Sequence, residues 1–448
     1  MHTPKNKLTE LIKNYDLKKI NDGINSENYP ENYLKLFGKD VLWEVKQNSN
    51  IVDDDIKELL LRTEVFEEIS NRLRELMKID NFSILTGAGS SISVGGVLFN
   101  FEQLEKGWVN QIFEKGSLKN DYSDILKKFK ATINDKQHGV EDFITFLYKL
   151  ENASILGYDL QEKSTSTKLD LKITEIKNSI LEGLKKLCIL PSTGKELKGH
   201  KTFIKRIISR PINLRRTNLF TTNYDLVFEK AMDELGIIYV DGFIGGLKKF
   251  FHPESFNYDY YYPATTTEGN ISRMERVLHY YKIHGSLNWI DNDDDSTWNI
   301  YGIEKKENEQ ESENVLIYPT PMKEQDTIGF PYSEMFRKLS NTIQQPQSVL
   351  LCFGYSFGDY HINRIILEAL SIPSFQLIII SYTWSDNIKK IYKQFKDEPS
   401  VGFIIGPEFA DWETFATNLL PDLPTIDLEE KYQHKRNSSK SSLKTIKP

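Results

Sequence analysis

The sequence has 448 residues, of which 39% are hydrophobic and 27% are charged, a balance typical of a globular protein with a buried core. This length allows one large domain with insertions or two domains. No run approaches the roughly 20 apolar residues that span a bilayer, and the N-terminal segment lacks a signal-peptide pattern, so the sequence predicts a cytoplasmic protein without a membrane partner. The formal net charge of −7 argues against nucleic-acid binding over the whole surface.

Residues 1–80 are predicted to form a helical extension. Between Ile56 and Leu76, apolar residues recur close to the 3.6-residue period of an α-helix. Packing onto the protein's own core is the commoner use of such an apolar stripe. Self-association into a homo-oligomer is the other use that the stripe allows.

The pattern changes abruptly after this helix. Residues 81–86 form a short apolar run that predicts a buried strand, and the run ends in the turn Gly87-Ala88-Gly89-Ser90. Glycines after a strand allow a tight turn and let backbone N–H groups approach a phosphate closely. The third glycine of the usual dinucleotide-binding pattern is replaced by Ile92, so a plain tight turn fits this segment equally well.

From about residue 100 to residue 216 the pattern is mostly helical. Strand-like runs return at 218–222, 280–284, 349–354 and 375–381, and the last two are continuous apolar runs, as in strands covered on both faces of a parallel sheet. The sequence therefore predicts an α/β fold: a Rossmann-like parallel sheet flanked by helices, with a large helical insertion and a helical N-terminal extension.

The expected domain organisation follows from these patterns. It consists of the extension at 1–80, a catalytic domain at 81–425 with the insertion at about 100–216, and a basic, disordered tail at 426–448. The tail is the one segment through which we expect any direct contact with nucleic acid.

Polar side chains follow the strand at 218–222. Thr222, Asn223 and Asp225 stand between this strand and an apolar helical run. Open α/β sheets bind their ligands at the carboxyl ends of the strands, which makes these residues candidates for a binding site. Thr, Asn and Asp also cap helices well, so Asn223 or Asp225 would otherwise only begin the helix.

Two further strand ends carry candidate residues. His284 ends a strand and precedes a glycine; an imidazole with a pKa near neutrality suits proton transfer, although a single histidine is more often structural. Gly354, Ser356 and Asp359 lie between another buried strand and an apolar helix, an arrangement suited to holding ribose or phosphate. Asp359 would otherwise serve only as the cap of that helix.

In this order, the segments GAGSS, TTNYD, HG and GYSFGDYHIN resemble the sirtuin-like family, specifically its bacterial anti-phage branch. The resemblance extends from about Phe82 to Asp411, with weak similarity between Gly96 and Arg216. It implies that the protein binds NAD, that Asn223 holds the nicotinamide ribose and the attacking water, and that His284 is the general base. The further NAD-binding residues that it implies are Gly87, Ala88, Gly89, Ser90, Thr222, Asp225, Gly354, Ser356 and Asp359.

Cysteine content separates this sequence from the protein-deacylating sirtuins, which carry a small module in which four cysteines bind zinc. The sequence has two cysteines, Cys188 and Cys352, which cannot form that site, so no zinc is expected. The resemblance then favours hydrolysis of NAD to nicotinamide and ADP-ribose. The alternatives are a protein deacylase or ADP-ribosyltransferase, and a non-catalytic nucleotide-binding module.

The resemblance also carries an expectation about control. Relatives of this architecture are similar to the NAD-hydrolysing halves of defence systems that are paired with a HerA-like DNA-translocating ATPase. An unrestrained NAD hydrolase would exhaust the NAD of its own cell. We therefore expect depletion of NAD in anti-phage defence (abortive infection), controlled by homo-oligomer assembly or by a HerA-like ATPase partner.

Overall fold

The computed structural model describes residues 29–30, 32–41, 54–96, 116–133, 140–155, 163–190, 197–263, 272–291, 302–308, 314–316 and 329–423. The predicted basic tail at 426–448 and part of the predicted insertion lie outside these ranges. Within them, strands and helices alternate along most of the chain, which gives the α/β fold that the sequence predicts.

The described strands belong to two sheets. In chain order they are β1 (Tyr33–Leu36), β2 (Lys39–Asp40), β3 (Asn81–Thr86), β4 (Asn218–Thr221), β5 (Ile238–Val240), β6 (Phe243–Ile244), β7 (Lys249–Phe251), β8 (Val277–Lys282), β9 (Gly285–Asp291), β10 (Ile303–Lys305), β11 (Asn314–Leu316), β12 (Ser348–Phe353), β13 (Phe375–Ser381) and β14 (Val401–Ile405).

The main sheet has the strand order β2-β1-β14-β13-β12-β3-β4-β8-β5. Strands β14 to β5 in this order run parallel to one another. The β1 strand pairs antiparallel with both β14 and β2, so the sheet is mixed at one edge rather than parallel throughout.

Helices cover both faces of the main sheet. In chain order, the described helices are α1 (Asp54–Met77), α2 (Gly116–Ile133), α3 (Val140–Ile155), α4 (Lys163–Cys188), α5 (Lys198–Ile208), α6 (Val227–Leu235), α7 (Tyr332–Ile343), α8 (Tyr360–Ala369), α9 (Asp386–Phe395) and α10 (Trp412–Thr414), which continues as a π-helical turn (Phe415–Leu419). Side chains of α1, α5, α6 and the π-helical turn form one apolar cluster, and side chains of α7, α8 and α9 form another.

Alternate residues of each strand contribute to the two clusters, as the period of a β-strand requires. In β3, for example, Phe82 and Ile84 belong to the cluster with α1, whereas Leu85 belongs to the cluster with α7. Burial on both faces explains why β12 and β13 read as continuous apolar runs.

The chain changes direction in the sheet between β3 and β12. From β3 it proceeds to β4 and β8 on one side, and it then returns to place β12, β13 and β14 on the other side. Ligands of open α/β sheets bind at the carboxyl ends of the strands at such a switch point. Residues 87–91 follow β3 at this point, and residues 354–359 follow β12.

A second, antiparallel sheet with the order β11-β9-β10-β7-β6 adjoins the end of β8. Residues 283–284 turn the chain directly from β8 into β9, and Gly285 has a φ of +85°, which a residue with a side chain adopts only with strain. The sequence patterns do not predict this sheet, because four of its strands are only two or three residues long and the longer β9 lacks a distinctive apolar run.

The N-terminal region differs from the predicted helical extension. The α1 helix is present, but β1 and β2 precede it and extend the main sheet. The residues of the α1 stripe whose side chains are described, Val65, Ile69, Leu73 and Leu76, are buried in the same cluster as β3. This part of the stripe is therefore core and is not a surface for self-association.

The segment between β3 and β4 contains four of the described helices. Side chains of α2, α3 and α4 pack around a cluster of their own, which includes Phe129, Phe143 and Ile176. The last helix of the segment, α5, instead packs on the main sheet through Phe203 and Ile207.

Candidate active site

The four segments with predicted binding residues follow β12, β3, β4 and β8, which are adjacent in the main sheet. Each segment contacts its neighbour. His284, after β8, also lies near Asp359, after β12, with 3.9 Å between Nε2 and Oδ1. The four segments therefore form a closed circuit of contacts at one edge of the sheet. We name this circuit the strand-end ring; it consists of residues 87–91, 222–225, 283–287 and 354–359.

The turn after β3 lies directly against the turn after β12. The N–H groups of Gly87 and Gly89 donate to the carbonyls of Phe353 and Gly354, at 3.0 and 3.1 Å. A Cβ atom added to Gly89 would lie 2.6 Å from the Cα atom of Gly354, closer than real Cβ atoms approach. The glycines are therefore required for contact between the two turns, whatever their role toward a phosphate.

The carboxamide of Asn223 is oriented by two serines. Its Nδ2 group donates to the hydroxyls of Ser90 (3.2 Å) and Ser91 (2.9 Å). The Ser90 hydroxyl donates to the carbonyl of Gly87 (2.9 Å), and the Ser91 hydroxyl donates to Asp225 (2.8 Å). Because both hydroxyl protons are used in this way, the serines can only accept from Asn223. The Oδ1 atom of Asn223 is thus left as the acceptor on the other side of the carboxamide.

Asp225 has two roles in the structure. Its Oδ1 atom accepts a hydrogen bond from the N–H of Val227 (3.1 Å) at the start of α6, so the helix-capping interpretation is correct in part. Its other oxygen accepts from Ser91 and so belongs to the network that orients Asn223. Burial raises the pKa of Asp225, while the charge of Lys282 and the hydrogen bonds from Ser91 and Val227 oppose that rise.

His284 lies in the turn between β8 and β9 and is buried. The centroids of the Tyr224 and Phe336 rings each lie 6.5 Å from its own. Asp359 occupies the N-cap position of α8, but its side chain makes no capping hydrogen bond, so capping does not account for its carboxylate. At 3.9 Å from His284, its carboxylate is too distant for a hydrogen bond but close enough to stabilise a positive charge on the imidazole.

The other predicted residues of the strand-end ring lie near Asn223 and His284. The N–H of Thr222 donates to the carbonyl of Thr86 (3.0 Å), and Ala88 begins the short 3-10 turn after β3; both are half-buried. Ser356 is exposed, and its carbonyl accepts a hydrogen bond from the hydroxyl of Ser385 (3.2 Å) beyond the end of β13. This contact of Ser356 lies on the side of the ring away from β4 and β8.

His200 contacts the turn after β3 and was not predicted as a site residue. It is completely buried on α5, and its Nε2 atom lies 2.9 Å from the carbonyl oxygen of Ser90. The indole N–H of Trp412 donates to its Nδ1 atom at 3.2 Å. Since Nδ1 accepts, the imidazole is neutral and Nε2 carries the proton that is donated to Ser90. Burial accordingly lowers the pKa of His200 to about 4.

This contact predicts acid sensitivity of the fold. The folded pKa of His200, about 4, is below the ordinary 6.5, so the unfolded chain takes up the proton first as the pH falls. The resulting loss of stability begins near pH 6.5 and is complete near pH 4, and it amounts to about 3 kcal/mol at ~1.4 kcal/mol per pKa unit. We expect His200→Gln, which keeps a donor for Ser90 but does not titrate, to remove most of this loss. Urea unfolding followed by circular dichroism at pH 7.5 and pH 4.5 measures it.

The matched control is His252→Gln, which removes a histidine outside the strand-end ring. Part of the acid sensitivity should survive in both variants, because burial also lowers the pKa of His279 to about 4. An unchanged difference in unfolding free energy between the two pH values for His200→Gln would contradict the assignment of a neutral, buried His200.

Lys282 is a second residue whose role was missed. The sequence pattern places it only within the strand-like run 280–284, yet it is 2% exposed and its ammonium group contacts the turn that carries Asn223. The available signal was its position, since a lysine within the apolar run Tyr280-Tyr281-Lys282-Ile283 must be buried with a partner. No comparable signal marks His200, which stands among polar residues near the start of a helix.

Within the described ranges, no group of three or more His, Cys, Asp or Glu side chains is placed to hold a metal ion. None of the described helices is both long enough and apolar enough to cross a membrane.

Comparison with known proteins identifies a family resemblance in part of the chain. No curated protein sequence matches the chain significantly. A protein-family model described as a SIR2-like domain matches residues 217–398, a range that contains Asn223, His284 and Asp359 but begins after the glycines of the β3 turn. The match supports a sirtuin-like, NAD-using domain in this part of the chain.

Proposed function

We propose that this protein is an NAD hydrolase that cleaves NAD to nicotinamide and ADP-ribose. The observation that carries the proposal is the strand-end ring, which brings the carboxamide of Asn223 and the imidazole of His284 to the same edge of the sheet at its switch point. The SIR2-like match of residues 217–398 supports NAD as the ligand.

The groups around the switch point suit a dinucleotide. Gly87, Gly89 and Gly354 bring two backbone turns together without side chains between them. Gly89 and Gly354 are half-buried, and turns of this kind at the ends of parallel strands suit diphosphate and ribose. The Oδ1 atom of Asn223 adds an acceptor for a ribose hydroxyl or a water molecule.

In the proposed reaction Asn223 orients the substrates. Nicotinamide is a cationic leaving group in NAD, so no acid is needed to expel it, and a water molecule must reach the ribose carbon that it leaves. The carboxamide cannot rotate without breaking its bonds to Ser90 and Ser91, so its acceptor stays in one place. Such fixed geometry lowers the entropic part of the barrier.

His284 is assigned the role of general base. Its imidazole takes a proton as the water attacks, and the carboxylate of Asp359, 3.9 Å from Nε2, stabilises the imidazolium that results. Burial of both side chains, which are 7% and 14% exposed, strengthens this interaction relative to one in water.

Hydrolysis is favoured over deacylation because two cysteines cannot form the four-cysteine zinc module that accompanies the acyl-peptide groove of deacylating sirtuins. Deacylation or ADP-ribosyl transfer is the alternative catalytic function. Non-catalytic nucleotide binding is the other alternative.

The test is incubation of the purified protein with NAD, alone and with an acetyl-lysine peptide, followed by mass spectrometry of the products. We expect nicotinamide and ADP-ribose in equal amounts without the peptide. Turnover only with the peptide, giving acetylated ADP-ribose, would favour the deacylase, and a mass increase on a protein acceptor would favour the transferase. NAD binding by calorimetry without any cleavage would favour the non-catalytic module.

The proposal includes a cytoplasmic role in anti-phage defence, with activity controlled by homo-oligomer assembly or by a HerA-like ATPase partner. The described part of the α1 stripe is buried, so an assembly surface must lie elsewhere on the chain. Light scattering tests assembly, and a strict monomer at micromolar concentration would contradict it. A neighbouring ATPase gene would support the partner, whereas full activity of the isolated protein as a monomer would contradict control by either route.

A further inference from the structure

Lys282 is a buried cation to which the proposed reaction assigns no role. It is the last residue of β8 and 2% exposed, and its ammonium group donates to the backbone carbonyls of Tyr224 (3.1 Å) and Asp225. It also lies 3.0 Å from Oε1 of Glu229 on α6. These three contacts use all three donors of the ammonium group.

The two carbonyls belong to the turn that carries Asn223. On the other side of Asn223, its own N–H donates to Oγ1 of Thr221 at 3.1 Å, at the end of β4. The backbone of the turn is thus held before Asn223 by β4 and after it by Lys282 of β8. The position of the Asn223 side chain relative to Ser90 and Ser91 depends on the contact with Thr221 and on the contacts with Lys282.

Neutralising Glu229 does not account for this arrangement. That pairing needs one donor of Lys282, and the second oxygen of Glu229 already accepts a hydrogen bond from the hydroxyl of Tyr280 (3.1 Å). Burying a charged pair is often no more stabilising than filling the same volume with apolar side chains. The other two donors of Lys282 are directed to the turn, which is what a holding role requires.

We propose that Lys282 is a positioning residue for Asn223: its ammonium group fixes the 224–225 backbone so that the Asn223 carboxamide meets the two serines and presents Oδ1 to the substrate. The kinetic part of this proposal rests on the proposed NAD hydrolysis. The structural part, that Lys282 holds the turn, stands independently of the reaction.

The kinetic test compares Lys282→Met with the double variant Lys282→Met/Glu229→Gln. We expect kcat to fall about 100-fold in both, because a catalytic group displaced by about 1 Å costs that much, with KM for NAD changed less than about threefold. The double variant should regain thermal stability, because it no longer leaves Glu229 charged and unpaired in the interior. In the double variant, thermal stability would then recover while kcat stays low, a result that a merely structural role of Lys282 does not predict.

A matched control is the buried pair of Lys305, the last residue of β10 in the second sheet, and Asp241, whose charged atoms lie 2.6 Å apart. Lys305→Met/Asp241→Asn alters a lysine–carboxylate pair of similar burial away from the strand-end ring, and it should leave kcat within about twofold of the wild type. Wild-type kcat in folded Lys282→Met would overturn the proposal. So would recovery of kcat in the double variant, because Lys282 would then act only by neutralising Glu229.

Hydrogen–deuterium exchange provides a readout that does not depend on activity. In Lys282→Met, the amides of residues 222–227 should exchange at least about tenfold faster than in the wild type, while β12 and β13 keep their protection. Unchanged exchange in this segment would overturn the proposal. Faster exchange in a protein whose wild type does not cleave NAD would refute the proposed function and support the hold of Lys282 on the turn.

Discussion

Replacement of His284 by alanine is expected to lower kcat for NAD hydrolysis about 10³-fold, because a positioned general base contributes about 10²–10⁴-fold. The loss should appear mainly in kcat, since the imidazole is assigned to proton transfer and the glycine turns to NAD binding. Product formation measured over a range of NAD concentrations gives both constants. Circular dichroism establishes that the variant is folded.

Asn223 should respond in the same way to two substitutions of different size. Asn223→Ala removes the carboxamide, whereas Asn223→Asp keeps its shape but replaces the donor group that binds Ser90 and Ser91. Both should lose about 10²–10³-fold in kcat, because the fixed acceptor is removed in the first variant and no longer oriented in the second.

Two control variants remove the same residue types away from the strand-end ring. His252→Ala removes a histidine paired with Glu254, and Asn341→Ala removes an exposed asparagine on α7. Both should keep turnover close to the wild type. Near-wild-type turnover in folded His284→Ala would instead remove the assignment of His284 as the base.

Substitution of Gly89 by valine should impair folding stability and NAD binding together. Its Cβ atom would lie 2.6 Å from the Cα atom of Gly354, so the turns after β3 and β12 would have to move apart. Overpacking of this kind costs about 2 kcal/mol of unfolding free energy. Because both turns face the proposed site, the affinity for NAD should fall at least about tenfold. Urea unfolding and titration calorimetry measure the two effects.

Gly246→Val is the matched control, since a Cβ atom added to Gly246 meets no atom within 4 Å. It should change the unfolding free energy by less than about 0.5 kcal/mol and leave NAD affinity unchanged. Undiminished NAD affinity in folded Gly89→Val would mean that the glycine turn after β3 only connects elements and does not form part of a binding site.

The sequence was sufficient to predict the α/β class and the strands that build the centre of the sheet, because β3, β12 and β13 are apolar on both faces. It did not predict β1, which gains its place by pairing with β14 near the other end of the chain. A strand of four residues carries little local signal, and its partner cannot be inferred from periodicity. The apolar stripe of α1 is compatible with both core packing and self-association, so its burial likewise depends on contacts that periodicity does not reveal.

The candidate site was predicted in part for a similar reason. Asn223, His284 and Asp359 were found because each follows a strand at the edge where α/β sheets bind ligands. The position of Lys282 in an apolar run indicates burial, but its contacts with the turn that carries Asn223, and the contact of His200 with Ser90, are visible only in the structure. Hydrogen bonding by a buried side chain depends on what the fold places beside it, and the residue type alone does not reveal that partner.

The contact between the β3 and β12 turns has a consequence for how the protein is made. Gly89 is translated before its backbone neighbour Gly354, because the helical segment after β3 and strands β4 to β11 lie between them in the chain, and β13 and β14 follow later still. Contacts of such long sequence separation form late in folding. A nascent or truncated chain that stops before β12 therefore has no paired turns and no Asp359, so the proposed NAD-cleaving edge can exist only after β12 and the residues that follow it have been translated.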